Sequence, residues 1–240
     1  MAPPKFNLDD AFDRTGKLRA PPISGMMREA WALQTYAPAR PDPATLPHGK
    51  GRAVLVIPAF LTDDAYTRGL RDYLTRCGFR SYGAQIGTNW GPTEKIVTRL
   101  RQRLVGIRQE TTSPICLVGI SLGGLLARGL ALEYPNDTEH VVTIASPISL
   151  PTATNLELLI RLCARCYSPN IAVQHLSSPL PMAWTSIYSK RDGLIAWQSC
   201  LSDAPGGICI EVDAPHIAMA RNPEALKALV MRLAGVPYSS

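Results

Sequence analysis

Three residues of this chain have the types and the setting to act as a nucleophile, its base and the carboxylate that orients the base. The nucleophile candidate is Ser121, in the string Gly119-Ile120-Ser121-Leu122-Gly123. The apolar run "PICLVGI" leads into it, and the helix-compatible stretch "LGGLLARGLALEYP" follows. A strand that turns directly into a helix needs a sharp bend, with the apex residue in a strained backbone conformation and its hydroxyl lifted clear of the surface. Glycine at positions 119 and 123 suits the close passage of neighbouring backbone. The N–H of Leu122 then stands at the positive end of the helix, where it can stabilise an oxyanion. The plainer alternative is a serine that caps the helix in a tight turn.

A serine hydroxyl is a poor nucleophile without a base. Of the four histidines, His48 lies in a proline-rich loop, His140 begins a strand, and His175 falls in a long irregular excursion. Only His216, in "EVDAPHIAMARNPE", follows the last strand and precedes the final helix. The base requires a carboxylate to fix its tautomer. "SIYSKRDGLIAW" sets Asp192 in a turn directly after a strand, with Gly193 easing that turn; Asp203 and Asp213 are its rivals.

The elements that must position these residues alternate. "AVLVI", "RSYGAQI", "ICLVGI", "HVVTIAS", "MAWTSIYS" and "GICIEV" have the look of strands, about six in all. Segments at 65–78, 93–110, 122–135 and 224–235 are helical, the last with Asn222 as cap and Pro223 in its first turn. The alternation implies α/β layers on a mostly parallel sheet, and the unbroken apolar strands imply burial on both faces. Ligands of such sheets bind at the carboxyl edge, where Ser121, Asp192 and His216 fall. Two regions break the alternation. Residues 1–50 form a proline-rich extension to the core at 51–240. Residues 147–181 form a long excursion that could serve as a lid, or whose amphipathic "TNLELLIRLCARCY" is simply a packed helix.

With these motifs in this order, the chain resembles the α/β-hydrolase superfamily, in particular lipase- and esterase-like bacterial serine hydrolases. The resemblance covers roughly residues 52–234 and rests on "VLVIPAFLTDD", "LVGISLGGLLAR", "IYSKRDGLIAW" and "DAPHIAMARNP". It implies an α/β-hydrolase fold, a catalytic triad of Ser121, Asp192 and His216, and an oxyanion hole. The family often has His-Gly after its first core strand, where this chain has Pro58-Ala59-Phe60. By position Phe60 gives the second oxyanion N–H, with Leu61 as the alternative, and Leu122 gives the first. The implied reaction is cleavage of carboxylic esters, of apolar acyl groups by the leucine-rich excursion and by Trp90 in "GTNWGPT", through an acyl-enzyme that needs no metal or cofactor. A thioesterase or acyltransferase would use the same triad, and a non-catalytic binding protein would use the same fold.

Composition narrows the classes further. The formal charge is +6, and the densest basic stretch, "TRLRQRLVGIRQE", has no interleaved aromatics to stack bases, so a nucleic-acid partner is not expected. No export signal and no apolar run of transmembrane length is evident, which favours a cytoplasmic protein with its six cysteines reduced; Cys163 and Cys166 form a lone C-x-x-C with no second ligand pair. In the extension, Ile23, Met26, Met27, Ala30, Trp31, Leu33 and Tyr36 mark one helical face, opposite Arg28, Glu29 and Gln34. A membrane-surface helix would use such a face too but would carry several Lys or Arg opposite it, so the face is expected to pack on the hydrolase core or on a second copy of the chain in a homodimer.

Overall fold

The computed structural model describes residues 17–149, 153–156, 163, 167 and 178–238. Six strands form one parallel sheet: β1 (Ala53–Ile57), β2 (Arg80–Gly83), β3 (Ile115–Ile120), β4 (Thr138–Ile144), β5 (Ala183–Tyr188) and β6 (Gly207–Glu211), in the order β2-β1-β3-β4-β5-β6. The helices among the described residues include α1 (Ile23–Thr35), α2 (Asp64–Arg76), α3 (Glu94–Glu110), α4 (Leu122–Glu133) and α5 (Pro223–Leu233). The chain starts the core at β1, steps outward to β2, then crosses back to β3 and proceeds strand by strand to β6. The reversal beside β1 and β3 is the point where an open sheet of this kind leaves a crevice.

Successive side chains of a strand face opposite sides of the sheet. Val54 and Val56 of β1, with Cys116, Val118 and Ile120 of β3, pack in one layer with Leu70, Tyr73 and Leu74 of α2 and Leu226, Leu229 and Leu233 of α5. Ala53, Leu55 and Ile57, with Ile115 and Leu117, pack in the other with Leu100, Leu104 and Ile107 of α3 and Leu126 and Leu130 of α4. β1 and β3 are therefore buried along their whole length, as their apolar sequences imply. Helix starts follow local chemistry: Asp63 accepts from Ala65 N, Thr93 from Ile96 N, and Asn222 from Ala225 N, with Pro223 in the first turn of α5. The arginines of α3 bind their own chain: Arg99 donates to Ile86 O, Arg103 to Gly83 O, and Arg101 and Arg108 pair with Glu133 and Asp137.

The expected face of α1 is reversed. Ile23, Met27, Trp31 and Leu33 are exposed, at 78, 73, 70 and 62%, and the helix docks by Gly25, Glu29 and Ala32. The physical reason is polar. Glu29 has three backbone N–H partners on the core, and Gly25 lets the helix approach so closely that a Cβ there would stand 2.8 Å from Gly193 Cα. Most of the excursion at 147–181, including Cys166 and His175, lies outside the described residues. Its start is pinned to the loop after β5: Ser149 N donates to Ser199 O, Thr154 Oγ1 and Asn155 N to Leu194 O, and Asn155 Nδ2 to Gly193 O. Among the described residues no helix is long and apolar enough to cross a membrane, and no cluster of three His, Cys, Asp or Glu forms that could hold a metal.

Candidate active site

Ser121 is the bend between β3 and α4, with φ 53° and ψ −123°, a conformation that costs a non-glycine residue energy. Strain of this kind gathers at one edge of the sheet. Leu61, Gln85, Ser121 and Ala145, which follow β1, β2, β3 and β4, all have positive φ. Ser121 precedes α4, but its side chain makes no capping hydrogen bond, so the hydroxyl is not engaged in closing the helix. The glycines around it answer to close contact. A Cβ on Gly119 would overlap the backbone of Gly123 and Gly124, and one on Gly123 would overlap Pro58 O and Ile57 O. Gly124 is held equally tightly against Ser146, a constraint the G-x-S-x-G string does not contain.

The loop after β1 lies against this elbow through those Gly123 contacts. Its conformation is set by Asn89, a fully buried residue that the sequence did not single out. Asn89 Nδ2 donates to Pro58 O (2.7 Å), its N–H donates to Thr62 O (2.8 Å), and its carbonyl accepts from Leu61 N (2.8 Å). The Leu61 N–H is thus already engaged. Among the described residues no hydrogen bond occupies the Phe60 N–H. Trp90, the neighbour of Asn89, is 52% exposed and lines a cleft of about 330 Å³ with Ile86, Thr93, Ile96 and Cys163.

Asp192 and His216 meet. Asp192 Oδ2 lies 2.6 Å from His216 Nδ1, and both residues are buried. Asp192 Oδ1 accepts from Leu194 N (2.9 Å) and Ile195 N (2.8 Å), which fixes the carboxylate. The two loops are joined again through Ser189 Oγ, which accepts from Arg191 N and Ala214 N. Neither rival carboxylate reaches the histidine by a hydrogen bond: Asp213 is exposed and pairs with Arg191, and Asp203 is exposed. His48 is exposed, and His140 is buried in β4 against Thr185 Oγ1 (3.0 Å). Ser121 sits at the same carboxyl edge as the pair, yet no hydrogen bond joins its hydroxyl to His216; such bonds are often open until substrate is bound.

Burial alone would push the His216 ring towards its neutral form. The carboxylates of Asp192 and Glu29 outweigh that and raise its pKa above the usual 6.5. Glu29 is the second residue that sequence reasoning missed. It is 3% exposed; its Oε1 accepts from Gly193 N and His216 N, both 2.8 Å, and its Oε2 from Ile217 N at 3.0 Å. Gly193 is small because α1 comes this close, not because its turn demands glycine: a Cβ there would stand 2.6 Å from Gly25 O and 2.9 Å from Glu29 Oε1.

A parallel sheet with a strained serine at the β3–α4 elbow and an Asp–His pair on later loops of the same edge defines the α/β-hydrolase fold, and this chain has that fold. No sequence-family profile matches it, and no curated protein does. Solved structures do. Est1E from Butyrivibrio proteoclasticus is 12% identical, with TM-score 0.58 over 78% of this chain and 90% of that one. A structure from work on LipS and LipT, two metagenome-derived lipolytic enzymes, is 13% identical, with TM-score 0.57 over 79% of this chain and 96% of that one. A thioesterase domain from the curacin biosynthetic pathway is 13% identical, with TM-score 0.52 over 78% of this chain and 93% of that one.

Proposed function

We propose that the chain is a serine hydrolase that cleaves carboxylic esters through an acyl-enzyme on Ser121. The observation that carries this reading is the buried Asp192–His216 pair, 2.6 Å apart, on the sheet edge that also presents a strained, non-capping Ser121. His216 takes the Ser121 proton as the hydroxyl attacks the ester carbonyl, and Asp192 holds the ring so that Nε2 is free to act. The N–H groups of Leu122 and Phe60 receive the oxyanion; the engagement of Leu61 N by Asn89 supports Phe60 as the second donor. His216 then protonates the leaving alcohol, and water cleaves the acyl-enzyme by the same steps. The residues named leave no step that calls for a metal or cofactor. Exposed Leu61 and Trp90, on either side of the Asn89 bonds, favour an apolar acyl group.

The lipolytic enzymes among the fold neighbours support the reading, and the thioesterase domain among them keeps sulfur esters as a second one. A fluorophosphonate tests the assignment. It should label the protein once, on Ser121, and Ser121→Ala should abolish both labelling and turnover of p-nitrophenyl esters. Labelling of another serine, or none, would overturn it. Relative turnover of matched oxygen and sulfur esters separates the esterase from the thioesterase.

A further inference from the structure

The manner in which α1 docks is unusual for a surface helix. It leaves Ile23, Met27 and Trp31 in solvent and inserts a carboxylate instead. Amphipathic helices normally do the reverse. A buried carboxylate is costly unless its oxygens are satisfied. Glu29 meets that condition with three N–H groups, one from the residue after Asp192 and two from His216 and the residue after it. No Lys or Arg among the described residues forms an ion pair with it. The negative charge therefore faces backbone dipoles and the imidazole.

We infer that Glu29 is a positioning residue for the base of the proposed hydrolase: its carboxylate locks the Asp192 loop to the His216 loop and, together with Asp192, stabilises the imidazolium. The inference rests on the reading of His216 as base. It is distinct from the triad, because Glu29 touches neither Ser121 nor the ring of His216 by a hydrogen bond. The bonds it makes are to backbone, so it sets where the loops lie. A shift of about 1 Å at such a site can cost a hundredfold in rate. Its charge acts as well. Among the described residues, the ionisable groups near His216 include Asp192 from the β5 loop, Glu29 from α1 and Tyr66 of α2, whose hydroxyl donates to Ile217 O and is itself influenced by Arg221; Cys200 lies behind Asp192. Of these, Asp192 and Glu29 favour the protonated ring.

Glu29→Gln is the direct test, because it keeps the shape while removing the charge and placing an N–H₂ where an N–H acceptor is required. Two quantities are read on the intact chain: the rate of phosphonylation against pH, and the His216 titration by NMR in a Ser121→Ala background. Phosphonylation should slow by about ten- to a hundredfold, its acid limb should move to lower pH, and the His216 pKa should fall. Glu29→Asp, which keeps the charge on a shorter arm, should slow the reaction with a smaller movement of the limb. A Glu29→Gln protein that reacts at the wild-type rate with an unmoved limb overturns the inference, as does one that merely loses thermal stability. If wild type itself does not react while the NMR titration still shifts in Glu29→Gln, the hydrolase reading fails and the coupling of Glu29 to His216 stands. If Glu29→Gln does not fold, Gly25→Ala carries the test by forcing α1 away from Gly193: slower phosphonylation supports the inference, and the wild-type rate overturns it.

Discussion

At the scale of single residues, the site divides into groups that announce themselves and groups that do not. Ser121 was legible because its backbone demand leaves glycines on either side, and the contacts of Gly119 and Gly123 show the crowding that demand predicts. Asp192 and His216 were legible because each follows a strand and so falls at the sheet's carboxyl edge, and their 2.6 Å contact sets Asp192 apart from Asp203 and Asp213. Asp192→Asn should keep the fold and lower kcat by up to roughly 10⁴, because the amide favours the wrong imidazole tautomer. If kcat survives in that variant and collapses in Asp203→Asn, the carboxylate is misassigned. The same environment fixes a pH dependence. As the proposed base His216 must be neutral to accept a proton, and burial, although it favours the neutral ring, is outweighed by the two carboxylates. The acid limb of kcat/KM should therefore lie above pH 6.5, and a limb below 6.5 would contradict this electrostatic account.

At the scale of elements, existence was easier to read than orientation. The helices and strands fall close to where periodicity and capping residues put them, since those signals are local. Asn222-Pro223 at the start of α5 shows this. The face of α1 could not be read that way. Its apolar stripe is real, but what decides the docking is one carboxylate whose partners are 164, 187 and 188 positions away. No pattern within residues 23–37 records them. Removing residues 1–40 should leave Gly193, His216 and Ile217 N–H groups without their acceptor. Charge-assisted hydrogen bonds contribute about 1.5–3 kcal/mol each, so Tm should drop by at least about 10 °C, and phosphonylation should slow at least as much as in Glu29→Gln. An unchanged Tm in differential scanning fluorimetry would show that α1 is dispensable. Asn89 has the same character: an asparagine in a polar loop looks like an ordinary turn residue, yet it fixes the loop that carries Phe60. Asn89→Ala should reduce kcat by about 10²-fold, comparable to loss of one oxyanion donor, with KM less affected; a pure KM effect would remove Asn89 from this role.

At the scale of the whole molecule, the sheet excludes charge as well as holding strain at its edge. His140 stands in the middle of the sheet, and burial, followed by Arg232 and Arg52, lowers its pKa to about 4. The unfolded chain takes up that proton near 6.5 and the folded one only near 4, so the contribution is complete above pH 6.5 and fades as pH falls between these values. A displacement of that size corresponds to on the order of 3 kcal/mol. Urea unfolding at pH 7 and pH 4.5 should show the loss in wild type and a smaller one in His140→Gln; an equal loss in both would assign the acid sensitivity elsewhere. The reach of α1 across the chain has a further consequence, one of time. Ile217 is made 188 residues after Glu29. At synthesis rates of roughly 5–20 residues per second, about 10–40 s pass before the loop that α1 must grip exists. During that interval the first helix has nothing to close upon, its carboxylate and its Ile23, Met27 and Trp31 both facing water. Until residues 216 and 217 are made, Glu29 has no His216 loop to hold, and the proposed site closes only when segments 187 and 188 positions apart meet.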